Sequence, residues 1–182
     1  SDLQAVRLGF DQEKICIFPW GVDLTHFSPS VARARGTIWR ERQAWDGKRV
    51  LLCLRSWEPN YGVDVLLRAF AEAAKKDDDL RLILLGDGSQ REHLLRILQD
   101  ADLNDKVFLG GRVPNQDLIT YYGAADLYVT PSHVDGSSVS LMEAMACGLP
   151  SVASDIPANL EWVAEGQTGW LFPDGDSDAL AE

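Results

Sequence analysis

Two carboxylates flank a short run of small residues that is suited to seat a phosphate group. Asp135 lies eight positions before Glu143, and Gly136, Ser137 and Ser138 stand between them where a helix is predicted to begin. The N-terminus of a helix has free backbone N–H groups and a partial positive charge, and it therefore attracts phosphate. This order of groups fits a pyrophosphate with a sugar on either side, which describes a nucleotide-sugar.

Glu143 is the only charged residue in the helix predicted over 139–147. Because a buried carboxylate without partners is energetically expensive, its oxygens must meet hydrogen-bond donors. The two hydroxyl groups of a ribose would serve, and so would a backbone or side-chain donor in the core. The sequence leaves both interpretations open.

A cation is needed as well, because two carboxylates repel a pyrophosphate. Arg55 directly follows the apolar run 49–54, so it is placed at the carboxyl end of a predicted strand. Arginine can hold phosphate oxygens through two parallel N–H donors, although an ordinary surface arginine also fits this position.

Two further motifs favour structural interpretations. The segment Gly86–Gly88 lacks the third glycine of a dinucleotide-binding fingerprint, since Arg91 stands there, and it predicts a tight turn. His133 and Asp135 have a spacing that could contact a metal, but no third ligand accompanies them, which favours a loop histidine.

Short apolar runs alternate with helical patterns along most of the chain. Continuous apolar runs are typical of strands buried on both faces, and they predict strands at 49–54, 80–85, 107–109, 127–130 and 151–153. Helical periodicity and caps predict helices over 63–74, about 89–101, 115–122, 139–147 and 157–163, and another after Asp176. Ser89, Asn115 and Asp155 are the predicted caps of three of them. The alternation predicts an α/β protein with a doubly wound parallel sheet.

The composition is that of an acidic globular protein. The 182 residues are 46% hydrophobic and carry a net charge of −11, which argues against nucleic acid as a partner and against a membrane surface. No apolar run approaches the ~18 residues of a membrane span. Cys16, Cys53 and Cys147 are predicted to be reduced, partly buried thiols of a cytoplasmic protein. A whole protein bound peripherally at a membrane remains compatible with this composition.

Two regions fall outside the strand–helix alternation. Residues 1–47 hold an apolar segment at 15–18 and an Arg-rich stretch at 33–42, so they are predicted to be an interdomain linker or appendage with one strand and a solvated helix. Residues 48–182 are predicted to form the ligand-binding domain. The sequence is predicted to be a fragment of a longer protein, with this domain truncated at its C-terminal end.

The strongest family signal is an acidic residue, seven others, and then the string Glu143 to Pro150, which reads EAMACGLP. With it, the chain resembles the C-terminal, donor-binding domain of a retaining glycosyltransferase of GT-B fold, in glycosyltransferase family 4 (glycosyl transferases group 1). The resemblance runs from the motif at 19–23 to the tail at 168–173, and a weaker match places Arg55 seven residues before Gly62. It implies a Rossmann-like domain that is one half of a GT-B fold.

The resemblance also implies roles for the matched positions. Arg55 would contact the donor's phosphates, Glu143 the ribose and Asp135 the hydroxyls of the donor sugar, and Arg55 and Asp135 would be the catalytic pair. The implied nucleotide-sugar-binding residues are Arg55, Tyr61, Arg112, Val113, Asp135, Gly136, Ser137, Ser138, Val139 and Glu143. In this set, backbone amides near Ser138 and Val139 would meet the pyrophosphate, and the backbone at Arg112 and Val113 would face the nucleobase. Such enzymes use no metal or other cofactor, and they stabilise the leaving diphosphate electrostatically.

The chain departs from the family pattern at two of these positions. Tyr61 stands where the family usually has a lysine, and a tyrosine hydroxyl donates a hydrogen bond without carrying charge. The positive charge of the usual lysine would then have to come from Lys48, Arg112 or a residue outside the chain. Asp135 stands where glutamate is more usual, and its shorter arm changes the reach towards the sugar.

Together, these expectations predict the donor-binding domain of an enzyme that transfers a hexose-type sugar from a nucleotide to an unknown acceptor. Because the N-terminal acceptor domain of such enzymes is absent from the sequence, the fragment is predicted to bind donor weakly and to be inactive alone. A non-catalytic binding or regulatory module of the same fold is the alternative, with Tyr61 as its main support. A nucleotide-sugar epimerase of GT-B fold fits the Glu143 segment less well.

Overall fold

A six-stranded parallel sheet forms the centre of the computed structural model, which describes residues 2–16 and 20–182. The strands are β1 (Arg49–Leu54), β2 (Leu80–Leu85), β3 (Val107–Gly111), β4 (Leu127–Thr130), β5 (Ser151–Ser154) and β6 (Gly169–Phe172). The helices are α1 (Asp2–Arg7), α2 (Pro29–Gln43), α3 (Val63–Lys76), α4 (Arg91–Asp100), α5 (Asn115–Ala124), α6 (Val139–Ala146), α7 (Pro157–Leu160) and α8 (Ser177–Leu180). Short 3-10 turns cover Gln12–Lys14 and Pro59–Tyr61.

The strands lie in the order β3-β2-β1-β4-β5-β6, and every neighbouring pair is parallel. This arrangement confirms the predicted α/β fold with a doubly wound sheet. The order reverses between β1 and β4, and in such sheets a crevice opens at that point beyond the carboxyl ends of the strands. Arg55 follows β1 and the loop 131–138 follows β4, so the topology brings the two candidate regions to this crevice.

Both faces of the central strands are buried, which explains their continuous apolar sequences. In β2, Ile83 and Leu85 belong to an apolar cluster that includes residues of α2, α5 and α6. Leu82 and Leu84 point to the opposite face, into a cluster with residues of α3 and α4. Alternate residues of one strand thus fill two separate cores, as the pleat of a strand requires.

Predicted and observed strands differ at the two ends of the chain. β6 was not predicted, because Gly169–Phe172 is a short edge strand that exposes Trp170 and shows no continuous apolar run. In the apolar segment at 15–18, Ile15 and Cys16 lie in no strand, and Ile17 and Phe18 lie outside the described residues.

Three predicted helix caps, those at Ser89, Asn115 and Asp155, are wrong because distant partners replace the local ones. Helix α4 begins at Arg91, and the Ser89 amide and hydroxyl instead donate to the carboxylate of Glu58. Asp155 does not cap α7, which ends at Leu160, but accepts a hydrogen bond from the Asp174 amide at 2.9 Å. The cap predicted at Asp176 is confirmed, since its carboxylate accepts from two amides of α8.

Composition-based expectations have a mixed outcome. Cys53 and Cys147 are buried, but Cys16 is exposed, which corrects its predicted partial burial. In the described ranges, no helix combines the length and the apolar character that crossing a bilayer requires.

Helix α2 packs against α5 at very short range through two glycines. A Cβ atom at Gly36 would lie 1.9 Å from the backbone carbon of Gly123, and one at Gly123 would lie 1.8 Å from the Ala32 carbonyl oxygen. Arg40 of α2 also donates from Nε to the Ala124 carbonyl at 2.7 Å and pairs with Asp126. The Arg-rich helix is therefore solvated only in part. The boundary at residue 47 remains a prediction.

We expect Gly36→Ala to destabilise the protein, although alanine in place of glycine normally stabilises an exposed helix by about 1 kcal/mol. The added methyl group would overlap backbone atoms of α5 that cannot rotate away. Overpacking of this kind costs roughly 1–3 kcal/mol of unfolding free energy, which urea denaturation measures. Thr37→Ala, on the exposed side of the same helix, is the control and should change the value by less than about 0.5 kcal/mol. An unchanged urea midpoint for Gly36→Ala would contradict the close helix contact.

Candidate functional site

A cleft of about 600 Å³ lies where the strand order reverses between β1 and β4, which we call the switch point of the sheet. It is bounded by the strand ends and the start of α6. Seven of the ten predicted binding residues line it, whereas Asp135, Gly136 and Ser138 do not. Asp135 and Ser138 instead contact the side chain of Arg55. The lining residues are Leu54, Arg55, Ser56, Tyr61, Gly86, Asp87, Arg112, Val113, Asn115, Ser137, Val139, Ser140 and Glu143.

The Arg55 guanidinium is held in one direction by hydroxyl groups from two elements. Its Nε and Nη2 atoms donate to Oγ1 of Thr130, at 3.0 and 2.7 Å, and Nη2 also donates to Oγ of Ser138. Thr130 ends β4, and Ser138 precedes α6. Arg55 follows β1, whereas both partners belong to β4 and the loop after it. The guanidinium therefore lies across the crevice at the start of α6, and Arg55 is not an ordinary surface arginine.

The third partner of Arg55 is the carboxylate of Asp135. Its Oδ2 atom lies 2.9 Å from Nη1 in an ion pair whose side chains are 9% and 14% exposed. That oxygen is buried and makes no hydrogen bond of good geometry within the described residues, so the attraction is mainly that of opposite charges. The other oxygen, Oδ1, accepts from the amide of Gly136 at 2.8 Å.

The Tyr61 ring stands beside Arg55, with the guanidinium carbon 5.6 Å from the ring centroid. A cation over an aromatic face is attracted by the ring's quadrupole, so Tyr61 stabilises the existing charge of Arg55 without adding a second one.

The loop after β2 must approach the backbone of Arg55 closely, which explains the glycines of the segment Gly86–Gly88. A Cβ atom at Gly86 would lie 1.9 Å from the Arg55 carbonyl oxygen, and φ of Gly86 is +125°. A Cβ atom at Gly88 would lie 2.5 Å from the Trp57 carbonyl oxygen. The glycines therefore allow two loops of the protein to pack together, and their role extends beyond the predicted tight turn.

The head of α6 presents free amides to the cleft. Ser138 caps the helix by accepting from the amide of Leu141 at 3.3 Å. Val139 and Ser140 occupy the first turn, where backbone N–H groups have no partner within the helix, and both residues line the cleft. Together with Arg55, they make this end of the cleft attractive to an anion.

Glu143 lies one turn further along α6 and is 5% exposed. The Tyr122 hydroxyl donates to its Oε2 atom at 2.8 Å, and the Asn115 amide nitrogen donates to Oε1 at 3.2 Å. Burial raises the pKa of Glu143, although these two hydrogen bonds oppose the shift. A carboxylate has about four acceptor positions, so Glu143 can still accept from hydroxyl groups in the cleft that it lines. Both interpretations of Glu143, a core partner and a ligand partner, are thus compatible with its surroundings.

We expect Tyr122→Phe to raise the pKa of Glu143 further, because it removes a donor to the charged form. It should also lower the free energy of unfolding by about 1–3 kcal/mol, since a buried carboxylate oxygen loses its partner. Carbon NMR titration of the Glu143 carboxyl group and urea denaturation measure the two effects. Tyr121→Phe is the matched control on the same helix and should leave that pKa unchanged. An equal shift in both variants would contradict the role of the Tyr122 hydroxyl.

The opposite rim of the cleft is formed by residues that follow β2 and β3. Arg112 is exposed there beside Val113 and Asp87. The amide of Gly86 donates to the Gly111 carbonyl at 2.7 Å and ties these two strand ends together. This rim supplies one more cation and a backbone edge to the site.

His133 is not directed at Asp135, contrary to the spacing considered for a metal. Its Nδ1 atom lies 2.6 Å from Oδ1 of Asp174, in the loop after β6. Across the residues that the structure describes, no three His, Cys, Asp or Glu side chains are grouped closely enough to hold a metal ion. His133 is therefore a loop histidine that joins two loops near the cleft.

Three residues that organise the site were not among the predicted ones: Thr130, Asn115 and Tyr122. Thr130 is the only polar residue of an apolar strand and stands at its carboxyl end, a signal that the sequence did offer. Asn115 is the first residue of α5 rather than its cap, and its amide is used by Glu143. The part played by Tyr122 follows from a contact across 21 positions, which local patterns do not reveal.

Comparison with protein families and curated sequences gives consistent results. The family described as "Glycosyl transferases group 1" matches residues 36–182. The chain is 32% identical over 170 residues to the GDP-mannose-dependent alpha-(1-6)-phosphatidylinositol monomannoside mannosyltransferase of Mycolicibacterium smegmatis, covering 89% of this chain and 44% of the relative. It is 33% identical over 182 residues to the amylovoran biosynthesis glycosyltransferase AmsK of Erwinia amylovora, covering 97% of this chain and 42% of the relative. The chain therefore spans less than half the length of these relatives.

Solved structures show the same fold. The structure of Anabaena HepE in complex with UDP-glucose superposes with a TM-score of 0.85 at 24% sequence identity. The match covers 99% of this chain and 49% of that chain. The fold described above thus recurs as about half of a larger protein.

Proposed function

The chain belongs to the glycosyl transferases group 1 family, and we propose that it is the donor-binding domain of a glycosyltransferase, with the cleft as the seat of a nucleoside diphosphate sugar. The diphosphate rests on the head of α6 beside Arg55, and the ribose hydroxyls donate to Glu143. The backbone at Arg112 and Val113 faces the base.

One observation carries this proposal: a single cleft holds a guanidinium, free helix amides and a buried carboxylate. The first two groups suit an anion, and the third suits a pair of hydroxyls, in the order in which a nucleoside diphosphate presents them. The site lies at the point of the sheet where such folds bind nucleotides.

The proposed reaction is transfer of a hexose from the donor with retention at the anomeric carbon, as in glycosyltransferase family 4. Negative charge builds on the diphosphate as the bond to the sugar breaks, and preorganised donors near that charge lower the barrier. Arg55 and the amides of α6 supply such donors, so we expect no requirement for a metal ion. The acceptor-binding half lies outside this chain, and we expect the chain alone to bind donor weakly without turnover.

Titration calorimetry against UDP, GDP, UDP-glucose and GDP-mannose tests the proposal. The panel follows the donors named for the Mycolicibacterium relative and for the HepE structure. We expect at least one member to bind, with a dissociation constant of about 1 mM or lower, and to bind equally well in the presence of a chelator. Absence of binding to the whole panel would refute the donor-site assignment.

A non-catalytic module that binds the same ligand is the second candidate. It is favoured by Tyr61, which leaves the site without the charge that a lysine would bring, and by the pairing of Arg55 with Asp135. Donor binding in the full-length protein, without sugar transfer or donor hydrolysis, would select this alternative.

A further inference from the structure

We infer that Asp135 is a built-in counter-ion of Arg55 that limits the affinity for diphosphate. The inference rests on the proposed function, because it assigns the charge balance of the same phosphate site.

Both carboxylate oxygens of Asp135 are occupied within the protein. Oδ2 lies 2.9 Å from Nη1 of Arg55, and Oδ1 accepts from the amide of Gly136 at 2.8 Å. Asp135 is also absent from the lining of the cleft, whereas Arg55 and Glu143 are present. In this arrangement the charge of Asp135 acts on a bound phosphate through its effect on Arg55.

Asp135 is not needed to aim the guanidinium. Three hydrogen bonds to Thr130 and Ser138 fix the direction of Arg55, while the contact with Asp135 lacks hydrogen-bond geometry. Its remaining effect is electrostatic. An opposite charge at this distance in a poorly solvated site offsets much of the attraction that Arg55 exerts on a phosphate.

The charges around the cleft make this offset matter. Two cations, Arg55 and Arg112, line the cleft together with Asp87 and Glu143, and Asp135 adds a third carboxylate behind its wall. Tyr61 contributes no charge. The site therefore presents one more negative than positive side chain to a dianionic or trianionic ligand, and the charge of Asp135 lies nearest to the cation that must hold the phosphates.

Asp135→Asn is the decisive variant, because an asparagine keeps the acceptor for the Gly136 amide and removes only the charge. We expect it to bind UDP or GDP about tenfold more tightly than the unmodified chain, a gain of ~1.4 kcal/mol. The variant and the unmodified chain should bind the nucleoside without phosphates with the same affinity. Asp135→Glu, which keeps the charge, should show no gain. Asp174→Asn removes a carboxylate from a neighbouring loop that does not touch Arg55, and should also leave the affinity unchanged.

Calorimetry with the nucleoside, the diphosphate and the nucleotide-sugar separates the outcomes. Weaker diphosphate binding in Asp135→Asn would mean that Asp135 positions Arg55, and equal binding would mean that it exerts no counter-ion effect. If the diphosphate binds equally but the nucleotide-sugar loses its own extra affinity, Asp135 holds the sugar. Each of these results overturns the inference while leaving the donor site intact. Failure of every protein, including the unmodified one, to bind any diphosphate would instead refute the proposed function.

Discussion

Replacing Arg55 with alanine is expected to weaken the binding of a nucleoside diphosphate by about ten- to a hundredfold. Hydrogen bonds from a charged donor contribute roughly 1.5–3 kcal/mol, and each 1.4 kcal/mol is tenfold in affinity. The variant also leaves the Asp135 carboxylate near the proposed phosphate site without its partner. Titration calorimetry with UDP and GDP measures the loss.

A second variant separates lost binding from lost folding. Removing one partner of a buried ion pair costs roughly 3–5 kcal/mol of stability, so Arg55→Ala alone risks unfolding. The double variant Arg55→Ala/Asp135→Asn leaves no unpaired charge at this place and should remain folded, as circular dichroism would report. It should still bind diphosphate far more weakly than Asp135→Asn. Equal affinity in these two folded variants would show that Arg55 does not contact the phosphates.

Glu143→Gln is expected to weaken binding of a nucleoside diphosphate by about tenfold and to leave binding of inorganic pyrophosphate unchanged. Glutamine offers one acceptor oxygen where the carboxylate offers two, so it cannot receive both hydroxyls of a ribose while it bonds to Tyr122 and Asn115. Glu92→Gln, exposed on α4, is the control and should bind as the unmodified chain does. An equal loss for pyrophosphate and for the nucleotide would argue that Glu143 shapes α6 instead of binding ribose.

The same variant should also change how the stability of the protein depends on pH. Burial raises the pKa of Glu143 above its ordinary value of 4.5. A carboxyl group with a raised pKa in the folded state favours folding while it is protonated, and this contribution is lost as the pH rises through the folded-state pKa. Glutamine cannot ionise, so the Tm of Glu143→Gln relative to that of the unmodified chain should rise as the pH increases through the folded-state pKa of Glu143. This pH-dependent gain should fade as the pH falls from the raised folded-state pKa towards the ordinary value of 4.5.

Much of the fold could be predicted because the central strands are buried on both faces. The run Leu80–Leu85 ends in four fully buried residues that fill the cores on both faces of the sheet, and the structure confirms the bounds of this strand. β6 escaped prediction because an edge strand needs only half of its residues buried, and Trp170 is 51% exposed. The caps at Ser89 and Asp155 failed for a different reason: each side chain has a better partner from another part of the fold.

The residues of the cleft were easier to predict than their contacts with one another. Arg55 and Glu143 stand out because they are charged groups beside apolar elements, and the sheet topology brings them together. The pairing of Arg55 with Asp135 depends on how two loops 80 positions apart in sequence meet, and no local pattern encodes it. The spacing of His133 and Asp135 could contact a metal but favours a loop histidine, and the two side chains do turn towards different partners.

The glycine contact between α2 and α5 has a mechanical consequence. Helix α5 carries Asn115 and Tyr122, which hold Glu143, and directly after Tyr122 it is locked to α2 through Gly123 and the Arg40 bond to Ala124. Closely packed backbones transmit strain with little yielding. We therefore expect a displacement of α2 to be passed on through α5 to the two hydrogen-bond donors of the Glu143 carboxylate.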